Sequence, residues 1–424
     1  IKENTYAIYG LGLSGKSTLK FLKKKKVKKI YIWDDKKNLN FRNKLNSFKK
    51  ALNKVDFIVI SPGINIKQTR FKSILLKNKK KIITDLDLFY MQKLPIKSIM
   101  VTGTNGKSTT CKLLQHVLRT NKLDAKLGGN IGKPILDLAI KKNSIVIIEA
   151  SSFQLFHAKF IKPTYAMILN ITKDHLDWHG SVKNYQDSKF NIFSNQDRKD
   201  FALLSKKEQI KKFKKKLFKS KHIKVSVGNF EKNFKKNIVN KYLLDQPNLE
   251  NISFVYKFSI FFKIKKNIII KALNNFKGLP HRNEMFYYKR GIKFINDSKA
   301  TSFDAAKHAL KNNKNIFWIL GGLPKLNDKF KLKDVKKNII KSYIVGKNIN
   351  FFRKQISGVL DHKLSFTIDN ALKDIIKDLF AFKQKQATIL LSPASASYDQ
   401  FKSFIERGDH FKKLTLKYAR KFLQ

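Results

Sequence analysis

The chain has 424 residues, which is too long for one ordinary hydrophobic core, so its length predicts two or three domains. Its 90 lysines and arginines outweigh 30 aspartates and glutamates, giving a formal net charge of +60 that favours anionic ligands such as nucleotides. A nucleic-acid surface should cluster its charge and favour arginine, whereas here the lysines are dispersed and arginine is scarce. A- and T-rich codon usage explains the excess of both lysine and phenylalanine, so we expect no specific nucleic-acid partner.

The single cysteine, Cys111, excludes an internal disulfide and fits a reducing cytoplasm, where we expect the protein to reside. We expect its thiol to pack on a buried helix face. No secretory signal is evident, and no apolar run reaches the roughly 18 residues that a membrane span requires. The composition therefore predicts a chain without a membrane span.

The first glycine-rich loop, in "YGLGLSGKST", follows the predicted strand "TYAIYG" and supports two interpretations. Gly10, Gly12 and Gly15 form the G-x-G-x-x-G of a dinucleotide-binding turn. Gly10, Gly15, Lys16 and Ser17 also satisfy the G-x-x-x-x-G-K-[ST] of an ATPase phosphate loop. The pattern alone does not choose between them.

Two acidic residues, Asp34 and Asp35, end the next predicted strand, "KKIYIWDD". An acid at that place can accept hydrogen bonds from a ribose or a base. Because no metal-binding partner accompanies them, this first segment is predicted to hold a nucleotide diphosphate without transferring phosphate. The alternative is a glycine-rich turn that serves packing alone.

A second loop lies in "VTGTNGKSTT", between the predicted strand "SIMVTG" and the helix "TTCKLLQHVLRT". It is a shortened phosphate loop, with Val101 where the standard pattern has glycine. Lys107 can neutralise the β- and γ-phosphates of ATP, and the Ser108 hydroxyl can reach Mg²⁺.

Glu149 and His175 each follow a later predicted strand, and ligands of open parallel sheets gather at such strand ends. We expect both side chains to reach the phosphates of ATP through a metal ion. The alternatives are that Glu149 caps the helix begun by "SSFQ" and that His175 only bonds backbone. With these residues downstream, the second loop is the predicted ATP site.

The β-α-β rhythm restarts after "MQKLPIK" and again after "FKGLPHRNE". Later apolar runs, "NIFWILGG", "KSYIVG" and "ATILLSPAS", predict another set of buried parallel strands. The sequence therefore predicts an α/β protein of three domains, with boundaries near residues 92 and 278.

Seven motifs resemble the Mur ligases of peptidoglycan synthesis, in that family's order and over nearly the whole chain: "TGTNGKST", "GGNIG", "EASSFQL", "LNITKDHLDWH", "GLPHR", "NDSKAT" and "LSPASASYDQF". Within the family, "GLGLSGKS", "SPGI" and the C-terminal motif most resemble the members that add D-glutamate. The resemblance implies a Rossmann-like uridine-nucleotide domain (1–92), a central P-loop ATPase domain (93–278) and a Rossmann-like domain that closes over ATP and the amino acid (279–424).

The implied reaction is ATP-dependent addition of D-glutamate to UDP-N-acetylmuramoyl-L-alanine through an acyl phosphate, by a monomer with two Mg²⁺ sites. The resemblance assigns the catalytic positions to Lys107, His175 and Lys189, the last as a carbamate. It assigns the metal to Ser108, Glu149, His175 and carbamylated Lys189, and ATP to Gly103, Thr104, Asn105, Gly106, Lys107, Ser108, Thr109, Arg282 and Asp297. It assigns the other substrates to Ser14, Gly15, Asp34, Asp35, Asn130, Lys299, Thr301, Lys325, Ser397, Tyr398 and Phe404.

Some features separate this interpretation from its rivals. The D-N-P-R signature of the diaminopimelate- or lysine-adding ligases is absent, and folylpolyglutamate synthases lack the uridine domain. An NAD-dependent oxidoreductase would explain only the first loop. The chain departs from the family pattern at Lys173 and Trp178, which are not ligand positions, and at Leu323 and Pro324, close to the implied D-glutamate contacts.

Overall fold

The computed structural model describes residues 1–36, 42–244, 246–325, 328–382 and 386–422. This part of the chain forms two compact units, Ile1–Lys277 and Gly278–Gln424. Its strands build three sheets, two in the first unit and one in the second, and all but one of the strand pairs are parallel. The predicted α/β class with mostly parallel sheets is confirmed.

The first sheet has four parallel strands in the order β2-β1-β3-β4. Every residue of β1 is buried, because helices cover both faces of a parallel sheet. The elements in chain order are β1 (Tyr6–Tyr9), α1 (Leu13–Lys24), β2 (Ile30–Trp33), α2 (Arg42–Lys54), β3 (Phe57–Ile60), α3 (Lys72–Lys77), β4 (Ile82–Ile83) and α4 (Asp85–Tyr90).

The second sheet has six parallel strands in the order β10-β9-β8-β5-β7-β6. Its elements are β5 (Lys97–Thr102), α5 (Lys107–Thr120), β6 (Ala125–Gly129), β7 (Ile145–Glu149), α6 (Ser152–His157), β8 (Tyr165–Ile168), α7 (Leu176–His179), α8 (Val182–Phe190), β9 (Phe201–Leu204), α9 (Lys207–Lys215), β10 (Lys221–Lys224), α10 (Val227–Phe234), α11 (Lys241–Leu244), α12 (Gln246–Phe261) and α13 (Lys266–Asn274).

Side chains of the central strand β5 alternate between two cores, as the two-residue period of a strand requires. Ile99 and Val101 join the core that includes α5, α12 and α13, whereas Met100 joins the opposite core with α6. Cys111 is buried in the first of these cores, as predicted. Because both faces of β5 are held, its end is a fixed platform for the loop that follows.

The sheet of the second unit has the order β11-β12-β16-β13-β14-β15, with the edge strand β11 antiparallel to β12. Its elements are β11 (Glu284–Lys289), β12 (Ile292–Asn296), α14 (Phe303–Asn312), β13 (Ile316–Gly321), β14 (Ile339–Val345), α15 (Ile349–Ile356), β15 (His362–Phe366), α16 (Ile368–Ala381), β16 (Ala387–Leu391) and α17 (Phe404–Phe422). Among the described helices of either unit, none is both long and apolar enough to cross a membrane.

Candidate active site

The second glycine loop consists of four residues, since β5 ends at Thr102 and α5 begins at Lys107. Gly106 has a φ of +85°, in the left-handed region that favours glycine. A Cβ at this position would lie 2.0 Å from Oδ1 of Asn251, so a larger residue would force the Asn251 side chain to move. The loop therefore leads directly into the N-terminus of a 14-residue helix, whose first N–H groups lack intrahelical acceptors and favour anions.

Asn170, just beyond the adjacent strand β8, fixes the shape of this loop. Its backbone oxygen accepts a hydrogen bond from Thr104 N (2.8 Å). Its side chain accepts from Asn105 N (2.9 Å) and donates to Asn105 O (3.2 Å). The Thr104 hydroxyl in turn lies 2.9 Å from the hydroxyl of Tyr185. The loop is thus held from the neighbouring strand end and from α8.

Two lysine amines converge on this loop. Lys107 Nζ donates to the carbonyl oxygens of Gly103 and Thr104, at 2.9 Å each, and Lys189 Nζ donates to the same Gly103 oxygen at 2.8 Å. Lys189 is only 1% exposed and lies 4.7 Å from the ring centroid of Tyr185. Burial, with the nearby charge of Lys107 as a smaller cause, lowers the pKa of Lys189 well below its usual value. The neutral amine, which this environment favours, is the nucleophilic form of lysine.

Glu149, the last residue of β7, is 2% exposed. Its Oε1 accepts a hydrogen bond from Asn130 Nδ2 (2.8 Å), whereas its Oε2 is buried without a hydrogen-bond partner among the described residues. The alternative role as a helix cap is not realised, because Ser151 caps α6 in a capping box with Gln154. A buried carboxylate oxygen without a partner fits a cation ligand.

His175 precedes α7 with a φ of +50°, in the left-handed region that is uncommon for a residue other than glycine. Its ring lies 4.8 Å from that of Phe153, and its Nε2 lies 3.4 Å from an Asp174 oxygen. No three His, Cys, Asp or Glu side chains in the described ranges form a metal site by themselves. A metal beside this loop would therefore need other oxygen ligands, such as the Ser108 hydroxyl, phosphate oxygens or a carbamate.

A cleft of about 640 Å³ adjoins the loop, and our sequence interpretation missed several of its polar residues. Asn170, Glu250 and Asn251 line it together with Asn105 and Gly106. Glu250 and Asn251 lie on α12, whose sequence offers no loop or motif signal. Only the packing of α12 against α5 places them next to the glycine loop.

The first glycine loop is shorter. β1 ends at Tyr9 and α1 begins at Leu13, which leaves three residues between strand and helix. A Cβ on Gly15 would lie 1.8 Å from the oxygen of Gly10, so glycine is needed where the helix packs against the turn. Lys16 is exposed within α1 and Ser17 is buried in it. This is the geometry of a dinucleotide-binding turn and not that of an ATPase phosphate loop.

Asp34 and Asp35 both have partners within this domain. Asp34 accepts from the backbone N–H groups of Leu11 (2.5 Å) and Lys36 (2.9 Å), which shapes the turn. Asp35 accepts from the Tyr9 hydroxyl and from Trp33 Nε1 (2.8 Å), and it forms an ion pair with Arg70 (3.2 Å). Asp34 therefore orders the glycine turn, and Asp35 ties the strand end to its aromatic core. Ser14, in the first turn of α1, is half-buried.

Apart from Arg282, which precedes β11, the predicted site residues of the second unit follow three adjacent strands, β12, β16 and β13. Asp297 is buried and accepts from the Ser392 hydroxyl (2.7 Å) and from Asn283 N (3.0 Å), and burial raises its pKa to about 7. Lys299 Nζ lies 3.8 Å from the ring centroid of Phe404, which is half-buried and so not a core residue.

The other predicted residues of this unit differ in exposure. Arg282 and Thr301 are half-buried, Lys325 is exposed, Ser397 is 2% exposed and Tyr398 is 72% exposed.

Sequence reasoning missed Arg407, which is 2% exposed in α17. Its guanidinium donates to the backbone oxygens of Ser298 (2.8 Å) and Ser395 (2.9 Å) and so joins the loops after β12 and β16.

Comparisons with known proteins bear on the whole chain. Family models described as "Mur ligase MurD-like, N-terminal domain" and "Mur ligase middle domain" match residues 4–83 and 101–272. The chain is 33% identical to the UDP-N-acetylmuramoylalanine--D-glutamate ligase of Rickettsia felis, over 97% of both chains. It is 34% identical to the enzyme of that name from Fusobacterium nucleatum, over 97% of this chain and 98% of that one.

Among solved structures, the fold is similar to that of MurF ligase from Thermotoga maritima in complex with ADP. The TM-score is 0.57 at 14% identity, with 99% of this chain and 96% of that one covered. Identity this low supports the fold alone, whereas the full-length relatives above 30% identity decide the family. The chain belongs to the Mur ligase family of ATP-dependent ligases.

Proposed function

We propose that this chain joins D-glutamate to UDP-N-acetylmuramoyl-L-alanine at the expense of ATP. The observation that carries the proposal is the pair of glycine loops in one compact unit, one built as a dinucleotide-binding turn and the other leading into α5 with Lys107 at its start. An enzyme that binds a uridine nucleotide and ATP at once needs two such sites. The choice of D-glutamate is supported by the relatives that bear this name and match along 97% of the chain.

When bound, ATP and Mg²⁺ would supply the phosphoryl group and the positive charge that turn the alanyl carboxylate into an acyl phosphate, from which the D-glutamate amine displaces phosphate. The chain provides orientation and charge. Lys107, at the start of α5, neutralises the phosphates. Ser108, Glu149, His175 and carbamylated Lys189 would hold the two metal ions, and the partnerless oxygen of Glu149 supports this assignment.

The carbamate forms when the neutral Lys189 amine attacks the carbon of carbon dioxide. A nitrogen–carbon bond forms, one carbon–oxygen π bond becomes the carboxylate, and a proton leaves the nitrogen. The product is an anion. It replaces an amine that donates a hydrogen bond to the same Gly103 oxygen as Lys107 does. The burial of Lys189 supports this proposal, because it favours the neutral amine that attacks carbon dioxide. An unmodified ammonium would instead repel the metal ions.

The remaining contacts are those that the family resemblance implies for the three proposed domains, 1–92, 93–278 and 279–424. In the first, Ser14, Gly15, Asp34 and Asp35 hold the uridine nucleotide. In the second, Asn130 contacts the muramoyl-alanine end next to Glu149, to which it already donates a hydrogen bond. In the third, Arg282 and Asp297 face ATP, and the residues around the entering D-glutamate are Lys299, Thr301, Lys325, Ser397, Tyr398 and Phe404.

The test is phosphate release from ATP with UDP-N-acetylmuramoyl-L-alanine across a panel of amino acids. We expect release with D-glutamate and none with L-glutamate, L-alanine, L-lysine or diaminopimelate. Mass spectrometry should show one product that is heavier by a glutamyl residue. Release with another amino acid would replace the substrate, and release with none of them would overturn the proposal.

A further inference from the structure

Arg407, in the first turn of α17, is a buried charge that the fold holds without an acidic partner. In the described part of the chain, its hydrogen bonds all go to hydroxyl and carbonyl oxygens and none goes to a carboxylate. Burial lowers its pKa to about 10, so the guanidinium is still charged at neutral pH. Taking a charge out of water is costly unless it is paired, so stability alone does not explain an arginine here.

The guanidinium reaches the ends of three adjacent strands. Its Nε donates to Ser298 Oγ (3.0 Å), and its Nη2 donates to both Ser298 O (2.8 Å) and Ser395 O (2.9 Å), which join the loops after β12 and β16. Its Nη1 is buried and has no hydrogen-bond partner among the described residues. A Cβ added to Gly322, just after β13, would lie 3.1 Å from this nitrogen. One side chain therefore lies beneath all three loops.

These contacts lie directly beside the residues proposed to surround the entering D-glutamate. Ser298 precedes Lys299, and Ser395 stands two residues before Ser397. The Ser298 hydroxyl, which accepts from the guanidinium, donates in turn to Phe404 O (2.8 Å). Lys299 Nζ lies 3.8 Å from the ring centroid of the same phenylalanine. The polar contacts therefore reach the proposed amino-acid site through hydrogen bonds.

The three loops differ in what else joins them. The loops after β13 and β16 are connected by backbone hydrogen bonds, from Leu323 N to Ala396 O (2.8 Å) and from Ala396 N to Leu323 O (3.0 Å). Ser298, by contrast, reaches the loop after β16 through the Arg407 guanidinium. Loss of the guanidinium would therefore let the loop after β12 shift relative to the other two.

We propose that Arg407 is a positioning residue for the amino-acid substrate: its guanidinium fixes the spacing between the loops after β12 and β16, which carry Lys299 and Ser397. A substrate held by groups from two loops needs those groups at a fixed spacing, and a small misplacement costs much of the rate. The inference rests on the proposed function, since it assumes that D-glutamate binds at these loops.

The first experiment compares Arg407→Met with Arg407→Lys by kcat and by the KM values for D-glutamate and for UDP-N-acetylmuramoyl-L-alanine. In Arg407→Met we expect the D-glutamate KM to rise about tenfold or more, and the uridine-substrate KM to stay within about twofold. Arg407→Lys keeps a charged donor for the two carbonyls, so its D-glutamate KM should rise only about threefold. A purely structural role would lower the amount of folded enzyme, and so kcat, without this rise in KM.

An unchanged D-glutamate KM in Arg407→Met, or one no lower in Arg407→Lys than in Arg407→Met, would overturn the proposal. Ser298→Ala is a milder variant for the case that Arg407→Met does not fold, and it should raise the D-glutamate KM about threefold. Tyr418→Phe is the matched control, because it removes a hydrogen bond of the same helix, to Asp369 (2.6 Å). An equal rise in Tyr418→Phe and Ser298→Ala would also overturn the proposal.

Hydrogen–deuterium exchange tests the loop spacing independently of the substrate. Lys299 N donates to His281 O (3.0 Å) and Ala396 N to Leu323 O, so both amides are protected and report on their loops. In Arg407→Met, peptides covering 297–301 and 395–398 should exchange faster than in the wild type, whereas those of α5 should not change. Unchanged exchange in both loops would overturn this inference. Wild-type enzyme without D-glutamate-dependent turnover would instead defeat the proposed function and leave the exchange test intact.

Discussion

The two glycine loops of the first unit share a G-x-x-x-x-G-K-S or closely similar sequence and yet fold differently. In the first, the helix begins three residues before Lys16, which becomes an exposed helix residue. In the second, the helix begins at Lys107 itself, and its amine turns back onto two loop carbonyls. The start of the helix, and not the glycine spacing, decides whether the lysine can serve a phosphate.

What surrounds each loop accounts for the difference. The Gly10 oxygen accepts from the Ser61 hydroxyl (2.9 Å), and Asp34 accepts from Leu11 N, so the first turn is drawn tightly onto its own sheet. The second loop is held open by Asn170, from the neighbouring strand end. Similar sequences thus take their shape from the polar groups at adjacent strand ends.

Substituting the lysine of each loop tests the difference between the two loops most directly. Lys107→Ala should lower kcat for D-glutamate-dependent phosphate release about a thousandfold, because a preorganised charge on the transferring phosphoryl group is lost. Lys16→Ala is the matched control and should stay within about twofold, since its side chain is exposed on α1. A large loss in Lys16→Ala, or a small one in Lys107→Ala, would reverse the assignment of the loops.

A second lysine pair tests the carbamate. Lys189→Ala should lower kcat about a hundredfold or more, because the anionic metal ligand is lost, and added acetate or formate should restore part of the activity. Lys183→Ala, exposed on the same helix, should lose little and show no response to these carboxylates. Full activity of Lys189→Ala, or a loss that no carboxylate relieves, would count against the carbamate.

Glycine substitutions test whether the two loops differ in their backbone requirements. Gly106→Ala forces alanine into a left-handed position and against Asn251, so we expect a loss of about 3 kcal/mol in unfolding free energy and a raised KM for ATP. Gly12, the N-cap of α1, has no atom within 4 Å of an added Cβ and should tolerate alanine at a cost of about 1 kcal/mol or less. Urea unfolding measures both values, and equal losses would contradict the distinction between the loops.

The smallest expected effect concerns Asp297, just beyond β12 in the second unit, and the pH dependence of stability. Asp297 has a folded-state pKa of about 7, above its ordinary value, so its ionisation destabilises the fold progressively from about pH 4 to pH 7. Asp297→Asn should be as stable as the wild type at pH 4 and more stable than it at pH 8, because the amide stays neutral. Urea midpoints at the two pH values provide the measurement, and a difference independent of pH would refute this account.

Particular residues show how much of the site could be predicted from the sequence. Lys107, Ser108, Glu149 and His175 were predicted beyond the ends of strands, because the β-α-β rhythm marks where each strand stops. In the structure Glu149 ends β7, Lys107 and Ser108 open α5, and His175 lies between β8 and α7. Other buried polar groups of the two units were not predicted. Asn251 lies within α12, in a stretch without a motif, so nothing in its local sequence distinguishes it from a surface residue. Arg407 lies in the C-terminal stretch "SPASASYDQFKSFIERGDHF" that resembles the family, but the sequence alone did not indicate its role.

The sequence by itself determined the parallel α/β architecture, the two glycine loops and the residues that can carry charge at them, because period, spacing and residue type are local properties. The tertiary structure alone decided which loop starts its helix at the lysine and which amines meet at Gly103. It also decided that Asp85 contacts Gln154 from a different domain segment. The contacts of Lys189 with Gly103 and of Asp85 with Gln154 join residues 86 and 69 positions apart. Only the packing of whole strands and helices brings such residues within hydrogen-bonding distance.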